Sequence, residues 1–179
     1  PSGFSIRDKA HRYADEIDLE ELCCASHVDL LRAAKSVGTL GGGNHFIEVD
    51  RDDDGALYVV VHSGSRHLGV EVAGYYQEAG YRELNRTDPA SVEALTARLK
   101  AEGRDREIQK ELRKLKNLKR TPIPKVLAYV SGELFEQYIH DMKIVQQFAM
   151  LNRQAMMDEI VKGMKLHVEE QFTTIHNYI

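Results

Sequence analysis

The longest regular alternation of apolar and polar positions lies in the C-terminal third of the chain. Leu134, Phe135, Tyr138, Ile139, Met142, Val145, Phe148, Ala149, Leu151, Ala155, Met156 and Ile160 recur three and four residues apart. That spacing predicts one long amphipathic helix with its aromatics and methionines turned to a core. Asn152 and Arg153 lie beside this stripe, where a surface role and an inward reach toward a site both fit. Leu19, Leu22, Cys23, Ser26, Leu30, Leu31 and Ala34 keep a looser helical spacing behind an N-cap at Asp18, predicting one or two helices through Ala34. Val72, Tyr75, Tyr76, Ala79 and Tyr81 predict another over 70–84. Between them the period changes. Phe46–Val49 reads as a strand, Asp50–Gly55 as a hairpin turn, and Leu57–His62 as a return strand whose unbroken apolar run predicts burial on both faces. Phe172–Ile179 predicts a closing β-rich stretch. The class expected is α+β: a buried, largely antiparallel sheet with long packed helices.

Residues 85–120 break these patterns. Arg98, Lys100, Arg104, Arg106, Lys110, Arg113, Lys114, Lys116, Lys119 and Arg120 crowd the segment with few aromatics, and Pro122 and Pro124 follow it. The reading is a basic helical insertion, either a solvated surface or a phosphate-contacting one. Overall charge is −4, which excludes a globally basic nucleic-acid binder. The chain has 42% hydrophobic and 29% charged residues among 179, no apolar run near the ~20 residues of a membrane span and no secretory signal. One domain with the insertion is expected, in the cytoplasm, with the adjacent Cys23 and Cys24 reduced.

Gly38-Thr39-Leu40-Gly41-Gly42-Gly43-Asn44-His45-Phe46-Ile47-Glu48-Val49 carries the densest chemistry. Consecutive glycines add nothing to a core, but they let backbone amides approach an anion. A second turn, His62-Ser63-Gly64-Ser65-Arg66, leaves the return strand with an imidazole, two hydroxyls and a guanidinium. His45 enters one strand and His62 leaves its partner, so an antiparallel pairing sets the two imidazoles side by side. His176 is a third histidine at a strand end, followed by the Asn177 amide. His11, His27, His140 and His167 lack such a setting, and His67 is next to Arg66. Three imidazoles suit Mn, Zn, Fe or Co, and no HExxH or CxxC spacing is present. From residues alone the reading stops at a divalent metal with a phosphate-bearing substrate.

The Gly38–Glu48 and His62–Arg66 segments resemble the signature segments of the RtcB family of RNA ligases. Tyr138–Met142 with Ala149–Arg153 is similar to that family's central helix, and His176-Asn177 to its third metal-ligand segment. The resemblance implies a GTP- and Mn²⁺-dependent ligase. It would join RNA ends bearing a 2′,3′-cyclic phosphate or 3′-phosphate to 5′-hydroxyl ends, in tRNA splicing or RNA repair, through a histidine–GMP intermediate. An accessory activating protein can accompany it. His45, His62 and His176 would be metal ligands, and Asn44, His45, Phe46, Ile47, Glu48, His176 and Asn177 would line the guanylate site. The family's Asp/Cys metal-ligand segment does not precede Asn44, and its guanylated histidine should lie beyond His176-Asn177. Residues 1–179 are therefore expected to be the central part of a larger ligase, inactive alone and without a catalytic nucleophile of its own. The alternatives are a metal-dependent phosphoesterase or other phosphate-handling enzyme, and a non-catalytic structural fragment.

Overall fold

Short polar residues cap two of the α-helices. The Asp29 carboxylate accepts the Arg32 N–H at 2.9 Å and opens α1 (Leu30–Ser36). Asp88 accepts the N–H groups of Ala90 and Ser91, with Pro89 at the first helical position where its missing donor costs nothing. The computed structural model describes residues 6–118 and 120–174. In chain order, 3₁₀ turns at Arg12–Glu16, Leu19–Glu21 and Ala25–His27 lead to α1, then β1 (Phe46–Arg51), β2 (Leu57–His62) and α2 (Arg66–Leu84). α3 (Pro89–Ala101), α4 (Ile108–Lys116) and α5 (Glu133–Met164) follow. At 32 residues α5 is about 48 Å long. No described helix is long and apolar enough to cross a membrane.

The chain divides into two compact units. One takes the residues up to Ala73 and those from Gln137 onward, and the other is Gly74–Glu136. In the first, the α5 stripe supplies Phe148, Leu151, Ala155 and Met156 to the core. Leu68 and Val72 of α2, Ala33 of α1, and Ile17, Leu19, Leu22, Cys24 and Val37 from the turns are also buried. Arg7 holds the N-terminal segment to α5 through Glu159 at 2.7 Å. The second unit buries Tyr76 and Leu99, and Gly80 lies so close to the Tyr129 carbonyl that a Cβ would come within 2.4 Å of its oxygen. Many of the expected basic residues there are engaged within the unit. Arg98 pairs with Glu102, Arg104 with Glu102 and Glu107, and Lys114 with Glu111, while Arg120 donates to the carbonyls of Asn85, Leu115 and Leu118.

Three expectations are corrected. Of the one or two helices expected through Ala34, α1 forms at its end, but the 18–28 part forms two 3₁₀ turns because buried tertiary contacts interrupt it around Cys23–Cys24. The sheet is not buried. Among the described residues it is a two-stranded hairpin, with Ile47, Val49, Leu57 and Tyr58 exposed. An apolar run is buried on both faces only when layers cover both faces, and the described residues supply none. Phe172–Thr174 adopts no regular structure, and the rest of the predicted closing β stretch lies outside the described residues. The hairpin turn follows expectation: Asp52 accepts the N–H groups of Asp54 and Ala56, and Gly55 takes φ +89°.

Candidate functional site

The hairpin turn sets the register, and the register sets the site. Phe46 pairs with His62, Ile47 with Val61 and Glu48 with Val60 in an antiparallel ladder. The Phe46 ring stacks on the His62 ring, with centroids 5.1 Å apart at 16°. His45, one residue earlier, brings its ring to 6.0 Å from that of His62, at 61°. A metal held ~2.1 Å from one nitrogen of each ring tolerates centroid separations up to about 6.5 Å, and the observed 6.0 Å lies within that limit. Phe46 and Glu48 project from the face that carries His62, and Ile47 projects from the other. Asn44 is exposed at the mouth of the strand. His176 and Asn177 lie outside the described residues, and no third His, Cys or carboxylate donor joins His45 and His62 among those described.

The two turns are tied together by α5. Asn152 is fully buried, and its Oδ1 accepts the N–H groups of Gly38 at 2.8 Å and Thr39 at 3.1 Å. Its Nδ2 donates to Ser63 Oγ at 3.2 Å and to the Gly64 carbonyl at 3.0 Å. One amide thus fills its bonding capacity while joining the glycine-rich turn to the His62–Arg66 turn. Ser63 Oγ donates on to the Leu40 carbonyl at 2.7 Å, and Arg66 Nε donates to Thr39 Oγ1 at 2.9 Å. Arg153 donates to the Ser63 carbonyl at 3.3 Å. Of the two options for the Asn152–Arg153 pair, the structure takes the inward one.

Glycine is required at one of these positions. Gly41 takes φ +94°, and a Cβ there would come 1.8 Å from an Arg66 guanidinium nitrogen and 2.4 Å from His45 Nδ1. The Arg66 side chain therefore occupies the space beneath the turn, and Arg66 itself holds the left-handed φ of 58°. A cleft of about 230 Å³ opens alongside, lined by Arg32, Gly42, Gly43, His45, Arg66 and His67 among others. Burial, and then the Arg32 charge, disfavour the Arg66 cation. Two guanidiniums that oppose each other are both relieved by a phosphate placed between them. A wider depression of about 460 Å³, lined by Ala14, Asp15, Asp18, Glu20 and aliphatic residues, is acidic and unsuited to a phosphate.

His45 is in the form a metal needs. Burial first, then the Arg66 charge, lower its pKa from the ordinary 6.5, against an opposing effect of the Leu40 carbonyl, with the His62 charge adding a lesser lowering. That carbonyl does not satisfy it: His45 Nδ1 is buried and makes no hydrogen bond of ordinary geometry. A neutral imidazole with an orphaned buried nitrogen fits a divalent ion. The sign of the pH effect follows. The unfolded chain binds this proton more readily than the folded one, so acidification below pH 6.5 favours unfolding. Thermal melts should show Tm falling more steeply below pH 6.5 in the wild type than in His45→Asn. Parallel slopes would show that His45 titrates as an ordinary surface histidine.

A different set of donors also converges. Cys23 Sγ lies 3.8 Å from His140 Nδ1, which lies 3.2 Å from the Asp141 Oδ1 of the same helix. Sequence reading set Cys23 and His140 aside. The adjacent His140-Asp141 pair is the local signal that could have drawn attention to them, but their meeting with Cys23 spans more than a hundred residues.

Comparison with known proteins bears on all of this. Residues 5–179 match the family model described as tRNA-splicing ligase RtcB. The RNA-splicing ligase RtcB1 of Escherichia coli strain ATCC 25922 is 26% identical over 157 residues, covering 81% of this chain and 31% of that protein. The tRNA-splicing ligases RtcB of Thermococcus kodakarensis and Aeropyrum pernix are 41% and 39% identical over 59 residues, each match covering 25% of this chain and 12% of the relative. The chain thus spans about a third of the length of the Escherichia coli relatives it matches. No solved structure matches it. With a family model matched along nearly its whole length, this chain belongs to the RtcB family of RNA-splicing ligases.

Proposed function

We propose that this chain is the metal- and guanylate-binding part of a GTP- and Mn²⁺-dependent RNA ligase. The whole protein would join 2′,3′-cyclic phosphate or 3′-phosphate RNA ends to 5′-hydroxyl ends through a histidine–GMP intermediate. The observation that carries the reading is the Asn152 tie. It fixes the glycine-rich and His62–Arg66 turns to one helix, with His45 lining a cleft that also holds Arg32 and Arg66, and with His62 6.0 Å from His45. In this reading His45 and His62, with His176, hold the ion, which would neutralise charge on the transferring phosphoryl group. Phe46 and Glu48 position the guanylate, with Asn44, Ile47 and Asn177 completing its contacts. Arg32, Arg66 and the Gly42–Gly43 backbone bind phosphate. Residues 85–120 are the basic helical insertion of the catalytic domain. The work is positioning and charge stabilisation, which phosphoryl transfer chiefly demands.

The test uses the whole protein. Incubated with labelled GTP and Mn²⁺, it should acquire label that stays on the protein through denaturation, and His45→Ala and His62→Ala should each abolish the labelling. If the wild type takes up no covalent GMP, the ligase reading fails, and the phosphoesterase reading is examined with 3′-phosphate and cyclic-phosphate RNA ends.

A further inference from the structure

The Cys23, His140 and Asp141 cluster is separate in sequence and contacts from the turns that carry His45 and His62. It is the group of three His, Cys or carboxylate donors that converges among the described residues, with all three ligand atoms within 4.8 Å of one another. Zinc bonds of ~2.3 Å to sulfur, ~2.0–2.1 Å to imidazole nitrogen and ~2.0–2.2 Å to carboxylate oxygen place tetrahedral donors about 3.3–3.6 Å apart. The observed separations are 3.8 Å between Cys23 Sγ and His140 Nδ1, and 3.2 Å between His140 Nδ1 and Asp141 Oδ1. The two separations lie within a few tenths of an ångström of those values, and the third pair lies within 4.8 Å.

The surroundings are built to hold this arrangement. Asp141 is fully buried, and its two oxygens accept the backbone N–H groups of Cys23 at 2.8 Å and Cys24 at 3.1 Å. Those bonds orient the carboxylate from behind, as outer contacts do for metal-ligating carboxylates. Cys23 and His140 are exposed, so an ion can enter and keep water in a fourth position. We propose that Cys23 Sγ, His140 Nδ1 and Asp141 Oδ1 form a zinc-class divalent-metal site that fastens the Cys23–Cys24 turn to α5. A sulfur, nitrogen and oxygen donor set selects zinc over hard cations such as magnesium. Binding forms the Zn–S, Zn–N and Zn–O bonds, displaces water from the ion and releases the Cys23 thiol proton to solvent. Because the thiolate is the ligating form, metal uptake should be coupled to proton release. Cys24 cannot substitute, being fully buried with its thiol pushed up to about 12, chiefly by burial.

The site does not depend on the ligase reading, and cobalt separates it from the histidines. Titrated with Co²⁺ alone, the 179-residue chain should develop a near-ultraviolet thiolate-to-cobalt charge-transfer band from the Cys23 cluster, because among the described residues no cysteine joins His45 and His62. Cys23→Ser should abolish the band, His140→Gln should weaken Co²⁺ and Zn²⁺ affinity by about tenfold or more, and His45→Ala and Cys24→Ala should leave the band intact. Zn²⁺ should raise the wild-type Tm, and the rise should vanish in Cys23→Ser and His140→Gln. Circular dichroism of each variant shows that it is folded. No band in the wild type, a band that survives Cys23→Ser, or a band lost in folded Cys24→Ala or His45→Ala overturns the proposal.

Discussion

Replacing Asn152 with alanine is expected to lower the unfolding free energy by about 3–5 kcal/mol. The side chain is fully buried, and its loss would leave the Gly38 and Thr39 N–H groups and the Gly64 carbonyl without a partner in the interior. Each orphaned buried group costs ~1–3 kcal/mol, and Asn152 itself is fully buried. Asn152→Asp separates the two halves of the effect. It keeps the acceptor for Gly38 and Thr39 but loses the donor to Ser63 Oγ and Gly64, and it sets a negative charge against that carbonyl. Denaturant melts read as midpoint and slope should show Asn152→Ala with a lowered midpoint at unchanged slope. A loss below about 1 kcal/mol would mean that the two turns hold each other without α5. If His45 and His62 hold an ion as proposed, the same variant should also weaken Mn²⁺ binding there, since their spacing depends on turns that Asn152 joins.

That residue also shows where sequence reading stops. The stripe from Leu134 to Ile160 identified α5, because a 3.6-residue period is a local property of the chain. The Asp50–Gly55 turn implied the antiparallel register, and with it the nearness of His45 and His62, because a short hairpin leaves only one way to pair its strands. Whether Asn152 faced a site or solvent was not legible, since its partners Gly38 and Gly64 lie 114 and 88 residues away. The same distance hid Cys23 from His140. Periodicity misjudged the 18–34 segment because Leu19, Leu22 and Cys23 look helical in spacing while Asp141 holds the Cys23–Cys24 backbone in a turn. It also misjudged the hairpin. The apolar run of β2 reports a preference for burial, but the layers that would cover it are not a property of the strand.

The second large effect is at Gly41, where Gly41→Ala is expected to cost about 2–5 kcal/mol and to disable the site even in molecules that fold. The residue holds φ +94°, which strains any L side chain, and the added methyl group would overlap the Arg66 guanidinium at 1.8 Å and the His45 ring at 2.4 Å. Either the turn lifts away from α2 or Arg66 leaves its bond to Thr39 Oγ1, and both outcomes displace His45. Gly43→Ala is the control that isolates the contact. Gly43 also has a positive φ, +77°, yet nothing lies within 4 Å of its Cβ position. It should therefore carry only the backbone strain of about 1–2 kcal/mol and retain metal and phosphate binding. Denaturant melts give the stability difference between the two variants, and calorimetric titration with Mn²⁺ gives the functional one. If the two alanines behave alike, conformational freedom alone explains the glycines. A larger loss at Gly41 would show that this glycine is there to make room for Arg66 beside His45.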